Sequence, residues 1–134
     1  MEAINPPDMA GPLGHYTQGI LVPRDHDWLC ISGQVGVSPD GIVPDRFDEQ
    51  ARLCWENIGA VLRAAGMGFE HLVKTTVFLT DAADLPAFGP VRTTFLGTHK
   101  PASTLLIVKG LARPEWKVEV EAIAARPSSR PGSR

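Results

Sequence analysis

The 134-residue sequence has little of what usually fixes a function outright. It carries only two cysteines, Cys30 and Cys54, too few and too isolated for a disulfide framework. Its start, Met-Glu-Ala-Ile-Asn-Pro-Pro-Asp, has no basic segment ahead of an apolar one, so the cysteines read as reduced core residues of a cytoplasmic protein. No apolar run approaches the roughly 20 residues that cross a bilayer, and no membrane partner is expected. Thirteen basic against fifteen acidic side chains leave a net charge of −2, which argues against nucleic acid as a partner. His15, His26, His71 and His99 show neither an i,i+4 pair nor a spacing to cysteine, so neither a metal nor another cofactor is expected. Gly33-Gln-Val-Gly36 is not followed by a helix, which removes a phosphate-cradling loop, and Ser32 lacks a nucleophile-elbow context.

What is present is a pattern of strands and helices in one domain, residues 1–125, with a tail over 126–134 of disordered composition. Three prolines in residues 1–13 predict an irregular start. His15–Val22 and Trp28–Ser32 read as strands close enough to form a hairpin, the second stopping at Ser32-Gly33-Gln34. Ala51, Cys54, Ile58, Val61, Leu62 and Ala65 recur at helical spacing and predict a helix over 47–65, capped by Asp45 or Asp48 and stopped by Gly66. His71–Thr80 is a β-branched strand. Leu85, Phe88, Val91 and Phe95 mark a shorter helix after Asp84, its start drawn toward Pro90 by the imino ring. Thr104–Lys109 and Lys117–Ala125 close the chain as strands.

The order β-β-α-β-α-β-β is an α+β layer. Two helices cover one face of a mixed sheet, yet Thr104-Leu-Leu-Ile-Val-Lys109 is apolar on both faces. The remaining cover is therefore expected from further copies of the chain. In the last strand Val118, Val120, Ala122 and Ala124 share one face and Glu119 and Glu121 the other. Each polar candidate carries a plain reading beside a functional one. Glu119 and Glu121 suit a solvated edge as well as chemistry, Ser32 a strand-ending hydroxyl bonded to backbone, Tyr16 an exposed aromatic, and Arg92 and Arg113 solvated charges. Of the two glutamates, Glu121 beside the Ala-Ile-Ala-Ala run is favoured for chemistry.

Taken together, Gly14-His-Tyr-Thr-Gln18, Leu29-Cys-Ile-Ser-Gly-Gln34, Asn57-Ile-Gly-Ala-Val-Leu-Arg-Ala-Ala-Gly66, Val73-Lys-Thr-Thr-Val-Phe-Leu-Thr-Asp81 and Val118-Glu-Val-Glu-Ala-Ile-Ala124 resemble the Rid family of reactive intermediate deaminases, also called YjgF or L-PSP proteins. The resemblance implies a chorismate-mutase-like fold, a homotrimer with a small-molecule cleft at each subunit interface, and cofactor-free hydrolysis of enamines and imines to a carbonyl and ammonia. It implies that Glu121 activates water, that Ser32 and Gly33 contact the substrate, and that Tyr16 lines the cleft. It also implies that Ser103, in Pro101-Ala-Ser-Thr104, stands where the family's deaminases carry a carboxylate-gripping arginine. A neutral hydroxyl in place of that charge-assisted fork costs roughly ten- to a hundredfold in binding. Gly89 and Arg92 likewise stand for an asparagine and an aromatic. The alternatives to a deaminase are a non-catalytic trimer binding a metabolite or protein in its clefts and, less supported by the charge, a ribonuclease or translation inhibitor.

Overall fold

The computed structural model describes residues 1–129. Six strands and two helices run β1 (Glu2–Ile4), β2 (Gly19–Leu21), β3 (His26–Val35), α1 (Phe47–Ala64), β4 (Leu72–Leu79), α2 (Leu85–Leu96), β5 (Ala102–Ile107) and β6 (Val118–Pro127). The main sheet has the order β3-β6-β4-β5, with β6 antiparallel to both neighbours and β5 parallel to β4. This is the expected mixed sheet with two helices on one face. α1 packs on β3 and β6, and α2 packs against α1.

The core follows the periodicities of the sequence. Ala51, Cys54, Ile58 and Leu62 of α1 are fully buried against Val118, Val120, Ala122 and Ala124 of β6. Trp55 and Phe88 link the two helices at 6.2 Å between ring centroids. Burial pushes the Cys54 thiol up to about 12, with the Glu119 charge adding to it. Cys54 is therefore expected to resist iodoacetamide at pH 8 until the protein unfolds, which mass spectrometry of native and urea-treated samples would read.

Several boundaries differ from the sequence reading. Residues 1–13 are not all irregular: Glu2–Ile4 pairs antiparallel with Gly19–Leu21, held by Gln18 N–H donating to Asn5 Oδ1 at 2.8 Å. The hairpin expected between His15–Val22 and Trp28–Ser32 is absent. β3 instead pairs with the distant β6, because Leu29 and Ile31 must reach the core under α1. β3 also runs past Ser32 to Val35, through a register shift between Ile31 and Gln34.

The helix ends differ as well. Neither Asp45 nor Asp48 caps α1; Arg46 holds the N-cap position and its guanidinium pairs with Asp48 at 2.7 Å. Gly66 does supply the left-handed stop, with φ 70°. α2 starts at Leu85 and carries Pro90 inside it, because Pro90 lies only one turn in and forfeits a single backbone hydrogen bond. β6 continues two residues beyond Ala125, tied by Arg126 to the Gly66 carbonyl at 3.0 Å, and Ser128 N–H donates to Asp25 O at 2.6 Å. The ordered chain thus passes the boundary drawn at 125, and the rest of the expected tail, 130–134, lies outside the described residues.

β5 is the sheet's edge. On the open face Leu106 is 42% exposed, with Trp28 and Ile123 further across the sheet at 57% and 37%, while Ile107, on the helix side at the end of β5, is 47% exposed. Ile123 is thus the exposed member of the Ala-Ile-Ala-Ala run after Glu121. No helix among the described residues is long and apolar enough to cross a membrane.

Candidate functional site

The irregular point of the main sheet is the bulge in β3. Ile31 pairs with Ala122 and Gln34 with Val120, so Ser32 and Gly33 together oppose the single residue Glu121. The Gln34 side chain donates to the Ser32 carbonyl at 3.0 Å and braces the bulge. Ser32 is exposed, and its hydroxyl has no partner among the described residues. The carboxylate that lies over Gly33 belongs to Glu119, so close that a Cβ at position 33 would overlap it. A side chain at position 33 would displace that carboxylate from its place over the bulge.

Glu121 sits opposite the bulge, but its side chain faces a shallow depression of about 430 Å³ that it lines with Cys30, Lys74, Thr76 and Ile123. Lys74 Nζ donates to Thr104 Oγ1 at 2.6 Å rather than to either glutamate. Two carboxylates without an ion-pair partner among the described residues thus lie on the open face of the sheet, Glu119 over Gly33 and Glu121 on the depression.

Tyr16 and Ser103 lie elsewhere. Thr17 bridges to Ala102 and its N–H donates to the Pro101 carbonyl at 3.2 Å, which places the Tyr16 segment alongside the start of β5. The Tyr16 hydroxyl accepts from Leu13 N–H at 3.1 Å. Ser103 faces the helix side of the sheet, where its Oγ accepts from Thr75 Oγ1 at 3.1 Å; Thr75 is only 1% exposed. The five expected site residues therefore form two groups, Ser32, Gly33 and Glu121 at β3–β6, and Tyr16 and Ser103 at β5. Those strands are opposite ends of the sheet, about 14 Å apart at the usual strand spacing. One chain does not bring the five together.

The four histidines serve structure. His15 and His99 donate to the carbonyls of His99 and Leu72, His26 to that of Arg24, and His71 accepts from Gly68 N–H. Among the described residues no three His, Cys, Asp or Glu side chains converge where they could hold a metal ion. Arg113 stacks over Trp116 at 5.8 Å in the loop before β6. The polar residue that the sequence reading missed altogether is Gln50. It is fully buried, donating to the Pro44 and Glu115 carbonyls at 2.8 and 3.0 Å and accepting from Lys117 N–H at 2.9 Å. It moors that loop to α1, and its only sequence signal was a polar residue one turn before Cys54 on the core face.

Residues 7–126 match the family model described as Endoribonuclease L-PSP. The chain is 34% identical over 116 residues to the 2-iminobutanoate/2-iminopropanoate deaminase of Rattus norvegicus, an alignment covering 85% of this chain and 82% of the rat protein. Among solved structures, TdcF of E. coli with bound serine superposes with a TM-score of 0.70 at 33% identity, over 94% of this chain and 99% of that one. The Rid-family protein YyfB of Yersinia pestis superposes with a TM-score of 0.81 at 26% identity, over 93% and 98% of the two chains.

Proposed function

The chain belongs to the Endoribonuclease L-PSP family, the Rid proteins, and from that premise we propose that it is a deaminase hydrolysing small imines and enamines. One observation carries the reading: the match to a protein named as an iminobutanoate and iminopropanoate deaminase runs along 85% of the chain. The bulge at Ser32–Gly33 suits that chemistry. An imine carbon accepts water, the water proton must leave, and the nitrogen must gain protons before it departs.

In the proposed site the Glu119 carboxylate over Gly33 takes the proton from water as its oxygen adds to the carbon of the protonated imine. The resulting carbinolamine has a new C–O bond and a neutral amine. Glu119 returns the proton to that nitrogen, the C–N bond breaks as ammonia leaves, and the hydroxyl oxygen collapses to a carbonyl, giving its proton to Glu119, which releases it to solvent. One water is consumed for each ammonia released, and an enamine joins the sequence by first tautomerising to the imine. The Ser32 hydroxyl holds the departing nitrogen, Glu121 shapes the floor, and Tyr16 lines the wall.

Two groups on opposite sheet edges fit a cleft between copies, the β5 edge of one facing the β3 bulge of the next. The bare Trp28, Leu106 and Ile123 support the same arrangement, since an open apolar sheet face is covered by association. A homotrimer is expected to scatter light as three times the 14.5 kDa chain. Leu106→Glu is expected to lower that mass to one chain and to abolish turnover together with it. Activity is read as ammonia release from an imine generated in situ by an amino acid oxidase. Thermal stabilisation by keto acids without ammonia release would replace the deaminase by a non-catalytic binding trimer.

A further inference from the structure

An open cavity of about 670 Å³ lies at the end of the sheet where β4 and β5 stop and β6 starts. Thr80 supplies one wall, and residues of the β5–β6 connection between Lys109 and Trp116 supply the others. Neither half of the candidate site contributes a lining residue. Lys109 lies six residues beyond Ser103, about 20 Å along the strand, and Trp116 three residues before Glu119, about 10 Å.

The connection is held in place from both sides. Val108 N–H donates to Leu79 O at 2.8 Å, Thr80 N–H to Lys117 O at 3.2 Å and Trp116 N–H to Arg113 O at 3.2 Å. Gln50, itself fully buried, bonds the Glu115 carbonyl and the Lys117 N–H from the α1 side. The cavity is thus preformed, as ligand sites commonly are.

Both charged side chains that line it are cations. Lys109 and Arg113 are exposed, and no ion pair reaches either among the described residues. Arg113 rests over the Trp116 ring at 5.8 Å, and the Trp116 Nε1–H is buried without a hydrogen-bond partner. Thr80 adds a hydroxyl with no partner among the described residues. The acidic neighbours in sequence lie off the cavity: Glu115 lines the adjoining depression with Val37 and Val43, and Asp81 Oδ1 accepts from Ala83 N–H at 2.9 Å. Leu111 and Pro114 give the cavity an apolar wall beside its cations.

We propose that this cavity binds a small metabolite carrying a phosphate monoester on an apolar body, at a site separate from the one that handles imines. The assignment does not depend on the deaminase reading. A phosphate monoester carries close to two negative charges at pH 7 and presents three acceptor oxygens. Arg113 offers a planar pair of donors, Lys109 a compact charge and Thr80 a hydroxyl, so charge and oxygens are both matched. A monocarboxylate would satisfy only one of the two cations. The apolar body lies against Leu111 and Pro114, and the indole N–H of Trp116 reports occupancy.

The test titrates phenyl phosphate into nitrogen-15-labelled protein at low ionic strength, with inorganic phosphate and benzoate as partial probes. The Trp116 indole N–H resonance, identified by its loss in Trp116→Phe, should shift to saturation with phenyl phosphate. Inorganic phosphate and benzoate should each bind about tenfold more weakly or worse, since each lacks one part of the match. Lys109→Met and Arg113→Gln should each weaken phenyl phosphate binding about tenfold or more, and both positions are exposed, so the fold is expected to survive. Glu119→Gln should leave the affinity within about threefold. Absence of a saturable shift at about 20 mM phenyl phosphate, well above a millimolar Kd, overturns the proposal. So does benzoate binding as tightly as phenyl phosphate, or an affinity unchanged in both Lys109→Met and Arg113→Gln. Loss of phenyl phosphate binding in Glu119→Gln would move the ligand into the candidate catalytic site and overturn the separate one, whereas failure to hydrolyse any imine leaves it standing.

Discussion

Glu119→Gln should lower kcat for imine hydrolysis by about 10²–10⁴-fold, the usual contribution of a positioned general base. The substitution keeps the size of the side chain and removes only its capacity to take a proton. Glu119 has no ion-pair or hydrogen-bond partner among the described residues, so the change should leave stability almost untouched. Glu121→Gln should cost only a few fold, about 1 kcal/mol or less, because its side chain faces the depression beside Lys74 and Thr76 rather than the Ser32–Gly33 bulge. Steady-state kinetics on both variants separate the two carboxylates. A larger loss in Glu121→Gln than in Glu119→Gln would return the base to Glu121 and leave Glu119 as a packing residue over Gly33.

The second large effect is expected at Gln50. Gln50→Leu keeps the volume but strands the Pro44 and Glu115 carbonyls and the Lys117 N–H, all now paired by one side chain. At about 1–3 kcal/mol for each buried group left unsatisfied, with some water access at the loop, the loss should be about 3–5 kcal/mol. Urea titration should show a lower midpoint with an unchanged slope. Gln50→Glu adds a test of sign. A carboxylate there would face two carbonyls, so its folded-state proton affinity would be raised, and stability would be greatest at low pH and fall as pH rises. The loop that Gln50 moors carries Arg113 and Trp116 and leads into Glu119, so partial loosening should also lower activity before the protein unfolds.

The elements legible in the sequence were those whose burial is written in local periodicity. Ala51, Cys54, Ile58 and Leu62 recur at 3.6 residues and could only be a helix against a core. Val118, Val120, Ala122 and Ala124 alternate and could only be a strand with one face covered. β1 was not legible, because three exposed residues carry no such pattern and hold only through pairing with a strand 15 or more residues away. The start of α2 is not legible locally, because a proline suits a helix beginning, whereas one lost hydrogen bond at Pro90 in the second turn is offset by the packing of Phe88 and Leu96.

The sequence by itself determined the family, the α+β layer and the face on which both glutamates lie, since local spacing and motif order carry that information. Tertiary structure decided the rest. Alternation makes Glu119 and Glu121 equivalent, and only the bulge in a strand some 85 residues earlier lays one carboxylate over Gly33. Likewise Tyr16, Ser103, Ser32 and Gly33 are simply positions along the chain until the strand order β3-β6-β4-β5 puts them at opposite ends of a sheet. Pairing between distant strands has no local code, because its energy arises only when the chain closes, and it is that closure which leaves the two halves of the candidate site at opposite edges of the sheet.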